Sequence, residues 1–435
     1  MALSTQPYKG ARDFYPDDKR LQKYLFGVWR TVAEKFGYEE YDAPILEPLE
    51  LYLAKTGEEI VNEQTYTFED RGGRHVVMRP EMTPTVSRMV AAKRQELTYP
   101  LRLYSIPNLW RYERPQRGRL REHWQLNVDL FGIAGLEAEH EIIQVADSVM
   151  QAFGSRRNQY SIRLNSRKLV DAFMHEHLGL HEVQTYTLGK LIDRKSKIPH
   201  AEFVAQADAI FTPSQREQGL TEQLLEGLKA EDLSELPPKL ADHESVKELK
   251  QLMDWLKASG ISNCVFDLTL MRGFDYYTDI VFEIFDRDPE NNRSMFGGGR
   301  YDGLIGLFGV ENLPTVGFGM GDVTLANFLE THQLLPKLKP ETDIYVVLVG
   351  DDMYEKAQTV LADLRQMGLS VAVDSSGRKA GSQIKTAASK GVHYALFIGE
   401  KELESGQFNL KDLATGTEEQ HSLQRIVSMV KDFRK

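Results

Sequence analysis

What the chain lacks narrows the field first. It has one cysteine, Cys264, so no disulfide forms within it and a thiolate zinc centre is implausible. No apolar run approaches the roughly 20 residues a bilayer-spanning helix needs. The opening residues, MALSTQPYKGARDFYP, hold no apolar stretch of the kind a secretory leader carries. Basic residues are outnumbered, 53 Lys and Arg against 64 Asp and Glu, for a formal net charge of −11. That balance argues against a nonspecific nucleic-acid coat, but not against a partner gripped by a local basic patch. Internal repeats and low-complexity tracts are missing too. These absences predict a cytoplasmic globular protein with no membrane partner, and its 435 residues allow two or three domains.

What is there is organised around Trp110–Gly132, WRYERPQRGRLREHWQLNVDLFG. The segment before it, LYSIPNLWRYE, and the segment WQLNVDLFG both alternate apolar and polar residues, which predicts two strands joined by the Pro/Gly turn PQRGR. In the second strand Leu126, Val128 and Leu130 take one face, and Gln125, Asn127 and Asp129 the other. From Arg102 to Arg121 six arginines stand against one acid, Glu113. An Arg-rich hairpin over a polar strand face suits a phosphate-bearing substrate. An ordinary surface hairpin with solvated arginines explains the same stretch when it is read alone.

Along the rest of the chain, Lys19–Phe36 has helical apolar spacing, Thr65–Phe68 and His75–Met78 read as a hairpin across DRGGR, and Leu136–Phe153 is amphipathic. From about Ser166 to Ser259 the pattern is helical and acidic, after which strands resume at NCVFDLTLMRGFDYYTDIVFEIF. This predicts an α+β catalytic core in two parts, 1–165 and 261–335, interrupted by a helical insertion at 166–260. LPKLKP reads as a linker, and 342–435 alternates strand and helix, which predicts a small α/β domain with a largely parallel sheet.

Four stretches concentrate side chains suited to chemistry: RPEMT from Arg79, the central hairpin, RGFDYY from Arg272, and GGGRYDG from Gly297. Each has a plainer explanation. Thr83 before Pro84 reads as a helix N-cap, and Tyr276 and Tyr277 read as core aromatics. GGGRYDG lacks the lysine of a phosphate loop, and GFGMGD closes a run of strands where a dinucleotide fingerprint would open one. His175, His177 and His181 in HEHLGLH lack the glutamate of a zinc-binding HExxH, and no metal ligands are assigned.

Taken in order, RPEMT, WRYERPQRGR with QLNVDLFG, MRGFDYYTDIVFE and GGGRYDG closely resemble the histidyl-tRNA synthetases, a family of class II aminoacyl-tRNA synthetases. YKGARDFYP, TGEEIVNEQTYTF and the late GSQIKTAASKGVHYALFIGEKEL extend the resemblance over nearly the whole chain. It implies a class II antiparallel-sheet core, a C-terminal anticodon-binding-type domain, a homodimer, and ATP with Mg2+ as the energy source. L-histidine would be joined to tRNA(His) through a histidyl-adenylate. Arg111 and Arg272 would be the catalytic cations. Glu81, Met82, Thr83, Arg111, Gln125, Asp129, Arg272, Tyr276 and Tyr277 would bind histidine. Arg111, Glu113, Arg119, Arg121 and His123 would bind ATP, and Gln116, Arg117, Arg378, Lys379 and Lys385 the tRNA.

Two positions depart from the family pattern. Thr324 stands where its third motif has an arginine, and His123 stands at its adenine-stacking aromatic. Either Arg119 or Arg121 replaces the missing cation, or ATP use is impaired and the chain is a histidine-binding regulatory paralogue.

Overall fold

The computed structural model describes residues 3–53, 64–271, 276–291 and 293–434. Arg272 and most of TGEEIVNEQ therefore lie outside the described residues. The chain divides into two compact units, one holding residues up to Asp13 with Gln22–Leu335, the other Phe14–Leu21 with Pro336 onward.

The first unit is built on a sheet that is nine-stranded among the described residues. Its centre consists of β7 (Glu122–Phe131), β8 (Tyr160–Ser166), β10 (Ile280–Asp286), β11 (Ser294–Arg300) and β12 (Thr315–Gly321), running in the order β7-β12-β11-β10-β8 with every neighbour antiparallel. β5 (Leu101–Ser105) and β6 (Asn108–Trp110) pair with β7. Only the outermost pairings are parallel: β1 (Glu39–Glu40) on β5, and β9 (Cys264–Phe266) on β8. The alternation read in WQLNVDLFG holds, with Leu126, Val128 and Leu130 buried, but Asn127 and Asp129 are buried as well. Because these two are buried, their polarity marks something other than exposure to solvent.

α1 (Pro16–Lys35) buries Trp29, Val32 and Ala33, and α3 (Glu137–Ala152), which packs against β7 and β12, buries Ile142, Val145 and Val149. A separate three-stranded sheet joins β2 (Leu46–Pro48), β4 (His75–Met78) and β3 (Tyr66–Glu69), and α2 (Thr83–Ala92) follows it. Between β8 and β9 the chain is helical, from Arg167–Ala172 through to α4 (Glu244–Ala258), and this stretch belongs to the same compact unit as the sheet. The histidines of HEHLGLH serve local structure. His181 caps the helix Glu182–Asp193, His175 bonds the Leu180 carbonyl, and His177 stacks on Phe173.

The second unit has the parallel strands β13 (Ile344–Leu348), β14 (Val371–Val373) and β15 (Tyr394–Ile398), with α6 (Gln358–Gln366), α7 (Ala380–Ser389) and α8 (Leu423–Arg434). An antiparallel hairpin, β16 (Phe408–Asp412) and β17 (Glu418–His421), extends this sheet in the order β14-β13-β15-β16-β17. Sequence patterning missed this hairpin because β17 reads EEQH, four polar residues exposed or half-exposed at an edge with no apolar alternation.

Candidate active site

Glycine on one face of two adjacent strands makes the floor of a cleft. Gly297 pairs with Gly319 and Gly299 with Gly317, and with Gly321 these lie on the same side of β11 and β12. A methyl group at Gly319 would stand 2.6 Å from the Gln125 amide, and one at Gly317 would collide with Asp129. The glycines are there because the side chains of β7 lean across them, leaving bare backbone for a flat ligand.

Above this floor the structure gathers Glu81, Thr83, Arg111, Gln125, Tyr276 and Tyr277, residues drawn from three separate stretches of sequence. Thr83 is the first residue of α2 and Met82 is the capping position, one place earlier than the sequence suggested. Glu81 is buried and accepts a hydrogen bond from the Tyr276 hydroxyl at 3.1 Å. Arg111 is half-buried and steered by the loop before α2, its Nε donating to the Pro80 carbonyl at 2.9 Å. Met82 does not join this group. It is fully buried with its sulfur 3.9 Å from Arg79, so its side chain serves packing.

Asp129 lies behind two residues of the cleft lining, Tyr301 and Gly317. It is 3% exposed, and its Oδ1 accepts from the Tyr301 hydroxyl. Its Oδ2 is buried with no hydrogen-bond partner among the described residues. Burial pushes this carboxyl up to about 7, against the opposing pull of the Tyr301 hydroxyl. Tyr301 was not assigned a role from sequence. It packs with Tyr276 and Tyr277 at centroid distances of 5.7 and 6.5 Å, and burial and the Asp129 charge hold its phenol well above the usual range. Its signal was present in GGGRYDG, where glycines spaced by two mark a strand face approached closely by other atoms.

Beyond Gln125, towards the start of β7, comes the hairpin. Its tip is a two-residue turn, Arg117–Gly118, closed by paired backbone bonds between Gln116 and Arg119, with Gly118 at φ +78°. Arg119 pairs with Glu113 at 3.6 Å. Arg121 turns instead to the N-terminal segment, its guanidinium 4.1 Å from the Tyr112 ring centre and bonded to the Tyr8 hydroxyl at 2.9 Å. Arg117 donates to Asn291 and Thr331. His123 is pushed down to about 3 by burial and by the charges of Arg111 and Arg12, so its ring is neutral at any working pH. Thr324 faces inward, bonding the Met295 carbonyl at 2.8 Å. In the second unit Arg378 pairs with Asp374 at 2.6 Å, while Lys379 and Lys385 are exposed at the start and on the surface of α7.

A larger cleft of about 570 Å3 lies elsewhere in the first unit. Two of the cations lining it are already engaged, Arg300 with Glu139 at 2.5 Å and Lys168 with Asp279. The smaller glycine-floored cleft is the better candidate, because donors converge on it and an unpartnered buried acceptor, Asp129 Oδ2, stands directly behind its Tyr301 and Gly317.

Residues 10–323 match the family model for histidyl-tRNA synthetase, and residues 343–433 that of an anticodon binding domain. A histidine--tRNA ligase from Leptospira biflexa is 43% identical over 99% of this chain and 98% of its own length. The chain belongs to the histidyl-tRNA synthetase family. A histidine--tRNA ligase from Opitutus terrae is 40% identical over 98% of both chains. The crystal structure of the Nostoc sp. PCC 7120 histidyl-tRNA synthetase superposes with a TM-score of 0.82 at 24% identity, over 99% of this chain and all of that one. A Bacillus halodurans protein described as an ATP phosphoribosyltransferase regulatory subunit/histidyl-tRNA synthetase superposes with a TM-score of 0.73 at 22% identity, over 91% of this chain and 99% of that one. Fold alone therefore does not separate ligase from regulator, and it is the sequence identity to ligases that disfavours the regulatory reading.

Proposed function

We propose that this chain joins L-histidine to tRNA(His), with ATP as the second substrate. The observation that carries the reading is Asp129 Oδ2, a buried acceptor with no partner among the described residues, directly behind Tyr301 and Gly317 of the cleft lining. An imidazole N–H satisfies that oxygen, whereas an aliphatic side chain would leave it stranded, at a cost of roughly 1–3 kcal/mol. In this reading Tyr276, Tyr277 and Tyr301 wall the ring, and Glu81, Thr83 and Gln125 receive the α-amino group.

The α-carboxylate then lies towards Arg111. One carboxylate oxygen attacks the α-phosphorus of ATP, the bond to the bridging oxygen breaks, and histidyl-adenylate and pyrophosphate result. The terminal ribose hydroxyl of the tRNA next attacks the acyl carbon, releasing AMP. Arg111 and Arg272 bear the charge on the equatorial oxygens, because an arginine fork binds two of them at once. Glu113, Arg119, Arg121 and His123 serve the nucleotide, with neutral His123 offering a flat ring to the purine. Mg2+ would be bound together with the triphosphate and would offset its charge. Among the described residues no group of three or more His, Cys, Asp or Glu could hold a metal ion.

Gln116, Arg117, Arg378, Lys379 and Lys385 contact tRNA in this scheme. Residues 1–165 and 261–335 form the catalytic core, 166–260 the insertion, and 342–435 the anticodon-binding domain. The chain works as a cytoplasmic homodimer, which light scattering tests directly. No described helix is long and apolar enough to cross a membrane. The reading as a whole is tested by ATP–pyrophosphate exchange over a panel of amino acids. Exchange stimulated by histidine alone is expected, and histidine binding without exchange would favour the regulatory alternative.

A further inference from the structure

The glycine face of β12 extends past the lining of the cleft. On β12 the glycine floor continues to Gly321, opposite Gln125, and the next residue, Asp322, begins α5 (Asp322–Thr331). Asp322 is 4% exposed and accepts the backbone N–H of Trp124 at 3.0 Å. It also holds Arg12, whose Nη2 lies 2.7 Å away and whose guanidinium is 5.8 Å from the Trp124 ring centre.

Arg12 reaches this point because the N-terminal segment is fastened to the start of β7. The Gly10 carbonyl accepts from the backbone N–H groups of both Arg121 and Glu122, at 2.9 and 3.1 Å. Gly10 sits at φ +86°, and any side chain there would meet Arg121 Cγ at 2.7 Å. The segment is therefore a docked part of the site wall. Within the pair the acid is covered and the base is not: 5% of the Asp322 side chain is exposed against 29% of Arg12. Of the pair, the guanidinium is therefore the member a ligand can reach.

Position 324 supplies no cation, since the Thr324 hydroxyl is turned to the Met295 and Gly321 carbonyls. The Thr324 methyl lies near the hairpin tip, where a Cβ on Gly118 would be in ordinary contact with it at 3.5 Å. Arg119 and Arg121 are engaged by Glu113 and by Tyr8 and Tyr112.

We propose that Arg12, held by Asp322, is a nucleotide-binding residue of this chain and contacts the phosphates of ATP at the end of the cleft beyond Gln125. The charge of Arg12 is already felt at His123, which it helps keep neutral. The inference rests on the reading of the cleft as an adenylation site and deepens it.

The test compares the parent, Arg12→Met and Arg12→Lys in histidine-dependent ATP–pyrophosphate exchange, with direct calorimetric titration of ATP and of adenosine. Arg12→Met keeps the apolar stem, and Arg12→Lys keeps an ion pair to Asp322 and so guards the fold. Both variants are expected to raise the ATP KM by about tenfold or more while moving the histidine KM less than about threefold. Calorimetry should show affinity lost for ATP and retained for adenosine. An ATP KM within about twofold of the parent in either folded variant overturns the proposal. So does an equal rise in both KM values, or full rescue by lysine, since those mark a staple for the N-terminal segment. If the parent shows no exchange, the synthetase reading fails, and the ATP titrations still decide the role of Arg12.

Discussion

Asp129 shows how one residue can cost stability and supply function. Ionising a carboxylate inside the cleft is unfavourable, and its folded-state value of about 7 lies well above the unfolded one. The ligand-free protein therefore loses stability as pH rises from about 4 to about 7, and the loss is complete above that. Asp129→Asn should raise the melting temperature of the ligand-free protein at pH 8, with a gain that shrinks as pH falls towards 4. The same change should raise the histidine KM at least tenfold while leaving the ATP KM within about threefold, since one mismatched buried group costs roughly 1–3 kcal/mol. If Asp129→Asn keeps parental histidine affinity, the carboxylate is a scaffold for Tyr301. Arg272→Ala should abolish most exchange, a hundredfold or more, because one lost preorganised donor is worth on the order of 3 kcal/mol. Near-parental exchange in a folded sample would remove Arg272 from the mechanism.

At the scale of elements, the glycine-rich strands make two separable demands. On the cleft face, an alanine at Gly319 presses on Gln125 Nε2 and Cδ at 2.6 and 2.7 Å, the far end of a side chain that can swing away. Gly319→Ala should therefore fold and raise the histidine KM about tenfold by displacing Gln125. On the opposite face, an alanine at Gly298 strikes the Gly317 carbonyl and stands 2.7 Å from Phe318 Cα, backbone that has nowhere to go. Gly298→Ala should destabilise by roughly 3 kcal/mol or fail to fold, which chemical denaturation measures against Gly319→Ala. Equal destabilisation by the two changes would show that the cleft face is as closely packed as the core. The hairpin and α5 are matched in the same way. Thr324→Arg should not improve ATP use, because the added side chain enters the space beneath the Gly118 tip, and a clear fall in ATP KM would contradict this packing.

At the scale of the whole molecule, two compact units imply separable steps. Removing residues from Thr342 onward should cripple tRNA charging while sparing much of the adenylation. Because phosphate contacts dominate such binding, the affinity lost on truncation should shrink as salt rises. Equal charging by truncated and full-length proteins would take Arg378, Lys379 and Lys385 out of tRNA recognition.

Sequence alone determined the elements with strong periodicity and the stretches whose residue order is distinctive. The alternation of WQLNVDLFG placed Asp129 and Gln125 on one strand face, and helical spacing marked the long helices, because apolar burial is encoded locally. Short polar edges such as β17 escaped, since an edge strand needs no apolar face and takes its shape from the neighbour it pairs with. Tertiary structure decided everything that depends on meeting across long separations. Only folding brings Tyr301 to Asp129, 172 positions away, and strands Asp129 Oδ2 beside an empty floor. Only folding turns Arg121 towards Tyr8 and carries Arg12 to Asp322, 310 positions distant. Residue types that suit a phosphate are readable in a sequence, but which guanidinium reaches one is set by the packing around it.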